Sequence, residues 1–149
     1  VTLAEMPWLQ EEWGGPLLVK GIQTVEDALE MKKLGVQGIV LSNHGGRQMD
    51  RGCAPLEILP EVRNAVGDSM EVYVDGSVLN GGDVLASVAM GATGTLVGRP
   101  YLYGLMAAGQ AGVHKMASLF RDEMENTMKL LGVDHIDKLD NAYAKLRNA

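Results

Sequence analysis

The sequence predicts an α/β fold built on parallel strands, and three observations carry that prediction. Short apolar runs alternate with helix-type segments four times along the chain. The runs are continuous rather than alternating, as in strands covered on both faces. The residues with chemical potential cluster where those runs end, at Lys20, Ser42 to His44, Asp75 and Gly98–Arg99. Strands repeatedly separated by a helix pair in parallel through crossover connections.

The first run, "PLLVKGI" (16–22), is entered through Gly-Gly-Pro and reads as a buried strand. "TVEDALEMKKLG" (24–35) reads as a helix, with Thr24 as N-cap, acids in its first turn, one apolar face from Ala28, Met31 and Leu34, and Gly35 as its stop. "QGIVLSN" (37–43) is the second strand. "APLEILPEVRNAVG" (54–67) is helical, and Pro60 predicts a kink or two short pieces. "MEVYVDG" (70–76) is the third strand, "GGDVLASVAMG" (81–91) the next helix, and "ATGTLVGRP" (92–100) a fourth strand running into a loop. Two helical segments close the chain, 101–132, broken near Gly109 or Gly112, and 134–148.

Strand ends that carry polar groups are where barrel enzymes keep their catalytic residues. Open α/β sheets use the same ends, so the pattern predicts a site and leaves the architecture open. Four βα units would be half of a barrel, which typically takes about 250 residues.

At 149 residues, 46% hydrophobic and 21% charged, the chain has the composition of one globular domain, 1–149, without linker or repeat. A net charge of −6 argues against non-specific nucleic-acid binding. No apolar run approaches the roughly 18 residues of a membrane span, and nothing reads as a signal peptide, so membrane association is not indicated. The single cysteine, Cys53, rules out an internal disulfide framework and fits a reducing compartment such as the cytoplasm. A start at Val1 rather than methionine suggests a fragment, a processed chain or a trimmed one.

"VLSNHGGRQMDRG" (40–52) concentrates the chemistry. A neutral imidazole accepts a proton at physiological pH, and an arginine offers a planar fork that matches a carboxylate. Gly45 and Gly46 let backbone approach a flat ligand. His44 and Arg47 together therefore suit chemistry at the carbon beside a carboxylate, although either alone could serve local carbonyls. Lys20 ends an apolar strand and either snorkels to solvent or faces an anion. Gly98–Arg99 could bind a phosphate through backbone N–H groups and a guanidinium. Asp75–Gly76 could bond ligand hydroxyls or form a turn. His114 and His135 lack metal-ligand spacing, Cys53 reads as an idle or buried thiol, and Asp50 and Arg51 read as a solvated pair, with Asp50 close enough to influence the loop.

The segments "LLVKGI", "GIVLSNHGGRQMD", "VYVDGS" and "TLVGRPYLYGL", in this order, resemble the C-terminal half of the FMN-dependent α-hydroxy acid oxidising family, which includes glycolate oxidase, lactate oxidase, flavin L-lactate dehydrogenase and mandelate dehydrogenase. The likeness covers roughly residues 5 to 133. It implies a TIM (β/α)8 barrel of which this chain supplies strands five to eight plus C-terminal helices, the N-terminal half being absent. It implies His44 as catalytic base, Arg47 as the substrate-carboxylate clamp, and Lys20 at the N1–C2 edge of the flavin. Ser42 then lies near the flavin, Asp75 at the ribityl chain with Gly76 and Ser77 following it, and Gly98 and Arg99 at the phosphate. The implied activity is oxidation of an L-2-hydroxy acid to a 2-oxo acid with FMN, the implied partners a small 2-hydroxy acid and either further copies in a homo-oligomer or a complementary N-terminal half. The alternative is a non-catalytic half-barrel or assembly module that needs a partner chain.

Three features depart from the family pattern. Where that pattern reads Asp-Gly-Gly-Ile/Val-Arg-Arg-Gly, this chain has "DGSVLNG": Ser77 replaces a glycine, and Leu79 and Asn80 replace two arginines. The third is the missing first half, which in the family carries the substrate tyrosines and the aspartate that orients the base.

Overall fold

The computed structural model describes residues 2–48 and 51–146. After a short helix α1 (Met6–Trp13), strands β1 (Leu18–Ile22), β2 (Gly38–Leu41), β3 (Glu71–Asp75) and β4 (Gly94–Leu96) are linked by helices α2 (Val25–Lys33), α3 (Pro55–Val66) and α4 (Gly81–Ala89), and α5 (Arg99–Leu131) follows β4. The sheet runs β1-β2-β3-β4, every neighbouring pair parallel. A doubly wound sheet reverses its strand order at a switch point. Here spatial order follows chain order throughout, which is the pattern of a (β/α) barrel, and the fold is that of part of one.

Side-chain alternation divides the sheet into two faces. Ile39, Leu41, Val72 and Val74 pack under α2 and α3 with Ala28, Met31, Leu59, Val62 and Val66, forming the main core. Lys20, Val40 and Tyr73 are register partners on the opposite face. Between Lys20 and Ile22 the β1–β2 register shifts at Gly21, whose φ is +105°. This bulge inserts one residue, so Lys20 keeps to the open face while Ile22 enters the core. A second, smaller cluster joins Leu85 and Ala89 of α4 to Val133 and Leu139 beyond α5.

The structure corrects several sequence expectations. Helix α3 passes through Pro60 as one unit of 12 residues. Proline removes a single backbone hydrogen bond there, and the fully buried Leu59, Val62 and Val66 hold the helix on the sheet. Strand β4 has three residues rather than nine, because helix α5 begins at Arg99 with Pro100 in its first turn, so Arg99 is helical rather than on a strand-end loop. Within the described residues, 134–146 do not form the helix expected over 134–148. The described part holds one 3₁₀ turn, Ile136–Lys138, because His135 and Asp140 side chains take the backbone N–H groups of Asp137 and Ala142 and hold the chain in turns. The expected break in α5 occurs at Ala108–Gly109, where the helix folds back so that Gly104 and Gly112 meet backbone to backbone.

The molecule is open for its size. Its accessible surface is 9514 Å², against about 7,400 Å² for a compact monomer of its mass. Much of the apolar excess lies on α5, where Tyr101, Leu102, Tyr103, Leu105 and Met106 are all exposed.

Candidate active site

The C-terminal ends of β1, β2 and β3 converge on one hydroxyl. Ser42 follows β2, is fully buried, and donates to Asp75 Oδ2 at 2.7 Å. It accepts from Lys20 Nζ at 3.1 Å and from the backbone N–H of His44 at 3.0 Å. Lys20 Nζ and Asp75 Oδ2 form an ion pair at 2.6 Å. Burial pushes the Asp75 carboxyl up, but hydrogen bonds from Lys20 and Ser42, the Lys20 charge and the nearby His44 outweigh it and hold it below its usual range.

His44 follows in a left-handed conformation, φ +55°, which costs a non-glycine residue about 1–2 kcal/mol. The Ser42 bond to its N–H and the Asn43 Oδ1 bond to the next one, Gly45 N at 3.0 Å, offset that cost at about 0.5–1.5 kcal/mol each. Gly45 and Gly46 continue the positive-φ run. The imidazole lies against β1 at the bulge: a Cβ on Gly21 would stand 2.9 Å from His44 Cε1, so glycine at 21 makes room for the ring. The Arg99 guanidinium reaches back from α5 to donate to the Gly45 carbonyl at 2.9 Å, joining the fourth strand's end to the loop. Arg47 closes the turn, exposed, and among the described residues no carboxylate pairs with it.

These elements wall a cleft of about 620 Å³ lined by Lys20, His44, Arg47, Asp75, Gly76, Ser77, Gly98 and Arg99, together with Leu79, Leu96 and Pro100. Of the nine residues singled out from sequence, eight line this cleft. Ser42 lies beneath it rather than in its wall. Ser77 adopts φ +60° after Gly76 at +108°, so a serine holds the left-handed backbone that the family pattern gives to glycine. Leu79 projects at the cleft edge, 54% exposed, while Asn80 caps α4 by accepting from Asp83 N. Asp50 lies outside the described residues. His114 and Cys53 are exposed and away from the cleft.

Sequence reasoning passed over Gly21 and Asn43. A glycine inside a strand run marks a bulge or a close approach, and that signal was present in "VKGI". Asn43 carried the signature of a residue that bonds the backbone two positions on.

A family model described as FMN-dependent dehydrogenase matches residues 1–146. A putative L-lactate dehydrogenase of Mycobacterium tuberculosis is 46% identical over 139 residues, which are 93% of this chain and 34% of that protein. A peroxisomal (S)-2-hydroxyacid oxidase of Arabidopsis thaliana is 42% identical over 144 residues, 97% of this chain and 40% of that one. Among solved structures, an (S)-mandelate dehydrogenase described as a monotopic membrane protein matches with a TM-score of 0.94 at 34% identity, over 99% of this chain and 39% of that chain. The chain thus spans about a third of the length of the curated relatives it matches. Among the described residues, no helix is long and apolar enough to cross a membrane.

Proposed function

The chain belongs to the FMN-dependent dehydrogenase family, and from that premise we propose that the protein oxidises an L-2-hydroxy acid to the 2-oxo acid, this chain supplying the base, the carboxylate clamp and part of the flavin site. The observation that carries the reading is the meeting of His44 and Arg47 in one cleft with Lys20, Asp75 and Arg99.

The cleft suits FMN in size and chemistry. Its volume lies within the roughly 300–1,000 Å³ of small-molecule sites. Lys20 and Asp75 offer a paired cation and acceptor, Gly76 and Ser77 a left-handed backbone wall, and Gly98–Arg99 a helix N-terminus beside a guanidinium. Lys20, Asp75, Gly76, Ser77, Gly98 and Arg99 would hold the group, with Leu79 standing where the family pattern has a second phosphate-facing cation. When bound, FMN accepts the electron pair that leaves the substrate.

The remaining work falls to side chains of this chain. Arg47 takes the substrate carboxylate in a two-pronged grip, which fixes the neighbouring carbon within reach of His44. His44 accepts a proton from the substrate on an imidazole nitrogen, and the left-handed turn with the Gly21 bulge sets the ring's approach. Lys20 lines the same cleft and would help to hold FMN there, its ammonium offsetting negative charge on the bound group. The large exposed apolar surface of α5 and the two sheet edges suit cover by a complementary N-terminal half or by further copies in a homo-oligomer.

The test is rapid mixing of the full-length, flavin-loaded protein with L-lactate, glycolate and mandelate, following flavin bleaching. Arg47→Lys should raise KM and slow the reaction, whereas His44→Gln should collapse the reduction rate while leaving carboxylate binding largely intact. Parental-rate bleaching by His44→Gln with every acid would remove His44 as base.

A further inference from the structure

Among the described residues, two that are not glycine adopt a left-handed backbone: His44 at φ +55° and Ser77 at φ +60°. They follow different strands, β2 and β3, yet both line the same cleft. Side chains held in this region are strained, and such strain gathers at active sites and ligand clamps. Histidine is among the residue types enriched there, so Ser77 is the less expected of the two. Gly76 before it already turns the chain, at φ +108°, and a second glycine would complete the turn without strain. The turn alone gives no reason for a side chain at 77.

We infer that the Ser77 hydroxyl donates a hydrogen bond to the phosphate of the flavin, a neutral donor in a part of the cleft where other donors are few. The inference rests on the reading of the cleft as an FMN site. A phosphate brings three strong acceptor oxygens and close to two negative charges. The loop after Ser77 offers it little. The N–H groups of Leu79 and Asn80 both turn to Asp83 Oδ2, and that of Gly81 turns to Glu123 Oε2. The Leu79 side chain at the cleft edge is apolar. Across the cleft, α5 opens with Arg99 and Pro100. Proline has no N–H to give, and the Leu102 N–H goes back to the Gly98 carbonyl. Arg47 is committed to the substrate, so the cations left are Lys20, paired with Asp75, and Arg99. Ser77 is exposed to this space, and among the described residues nothing bonds its hydroxyl.

Titration of the full-length protein, freed of flavin, with FMN and with riboflavin tests the contact by flavin fluorescence. Riboflavin has the same ring and polyol and lacks the phosphate. Ser77→Ala removes the hydroxyl and keeps the strained backbone, whereas Ser77→Gly removes both. Each should weaken FMN binding about ten- to hundredfold, the worth of one hydrogen bond to a charged group, with riboflavin affinity within about threefold of parental. The thermal midpoint of the flavin-free Ser77→Gly protein should equal or exceed the parental one, because its backbone relaxes. A hydroxyl that merely served the fold would not separate affinity from stability in this way. Parental FMN affinity in both variants, or tighter binding by Ser77→Gly, would overturn the contact. Equal losses for the two flavins would overturn it too, placing the hydroxyl on the polyol or the ring. So would a Ser77→Gly midpoint lowered by more than about 2 °C. A parental protein that takes up neither flavin would remove the cofactor reading itself, and the contact with it.

Discussion

The two ends of the sheet treat arginine in opposite ways. At the end where strands begin, Arg63 of α3 donates to Gly91 O at 2.7 Å, to Gly67 O at 2.7 Å, to Met70 O at 2.9 Å and to Thr93 Oγ1 at 3.2 Å. It seals the entries to β3 and β4. At the end where strands finish, Arg99 makes one bond, to Gly45 O, and Arg47 has no carboxylate partner among the described residues. A guanidinium carries five N–H donors. With four of them bonded, as in Arg63, they close backbone carbonyls and a hydroxyl and stabilise; left over, they wait for an anion. The barrel rule that stability sits at one face and chemistry at the other is legible here in donor use alone.

The comparison breaks most readily through His44. His44→Gln should slow flavin reduction by about 10²–10⁴-fold while leaving the thermal midpoint of the full-length protein nearly unchanged. Arg63→Met should do the reverse, lowering stability by about 3 kcal/mol as several carbonyls lose partners, with the reduction rate of the folded enzyme unaltered. Denaturant unfolding and rapid mixing on both variants would check the pair, and a loss of rate in Arg63→Met would erase the division between the two ends.

A smaller effect is expected at Leu79. Placing a cation there with Leu79→Arg should tighten FMN binding by about one to two decades, the worth of one charge-assisted contact of about 1.5–3 kcal/mol. Equal affinities in a fluorescence titration would show that Arg99 and backbone donors suffice.

The smallest effect concerns acid. Asp75 is held below the usual carboxylate range in the folded state, so its carboxylate favours folding at any pH above its unfolded value. That contribution fades as pH falls through the lower folded value. Asp75→Asn should therefore lose less stability than the parental protein on acidification below about pH 4. Far-UV circular dichroism during acid titration would show it, and identical acid limbs would mean that the Lys20–Asp75 pair contributes nothing net.

Much of this was legible in the sequence because the strands are short apolar runs whose burial demands are local. β2 is buried at all four positions, and "GIVL" says so directly. Helix α1 was not foreseen: of its residues only Met6 is buried while Trp8 and Trp13 are exposed, so no apolar stripe announces it. The segment after Gly132 misled for a different reason. Its helix-like spacing of Val133, Ile136 and Leu139 is real, but capping side chains compete for the backbone. In the candidate site, His44, Arg47, Lys20 and Arg99 could be named from residue type and strand-end position. The hydrogen bonding of Ser42 could not, since it depends on partners 22 and 33 residues away, and neither could the bond from Arg99 to Gly45 across 54 residues.

The turn within α5 carries an evolutionary consequence. A Cβ on Gly104 would stand 2.6 Å from the Gly112 carbonyl oxygen, and a Cβ on Gly112 would clash with the backbone of Gly104. Neither position tolerates even alanine while the other arm stays in place. The two sites therefore form a joint constraint rather than two independent ones, and single-step drift at either is closed. Because the first arm begins at Gly98–Arg99 and the second packs on α4 at Gly81, a lineage that abandoned this crossing would have to rebuild a cleft wall at the same time.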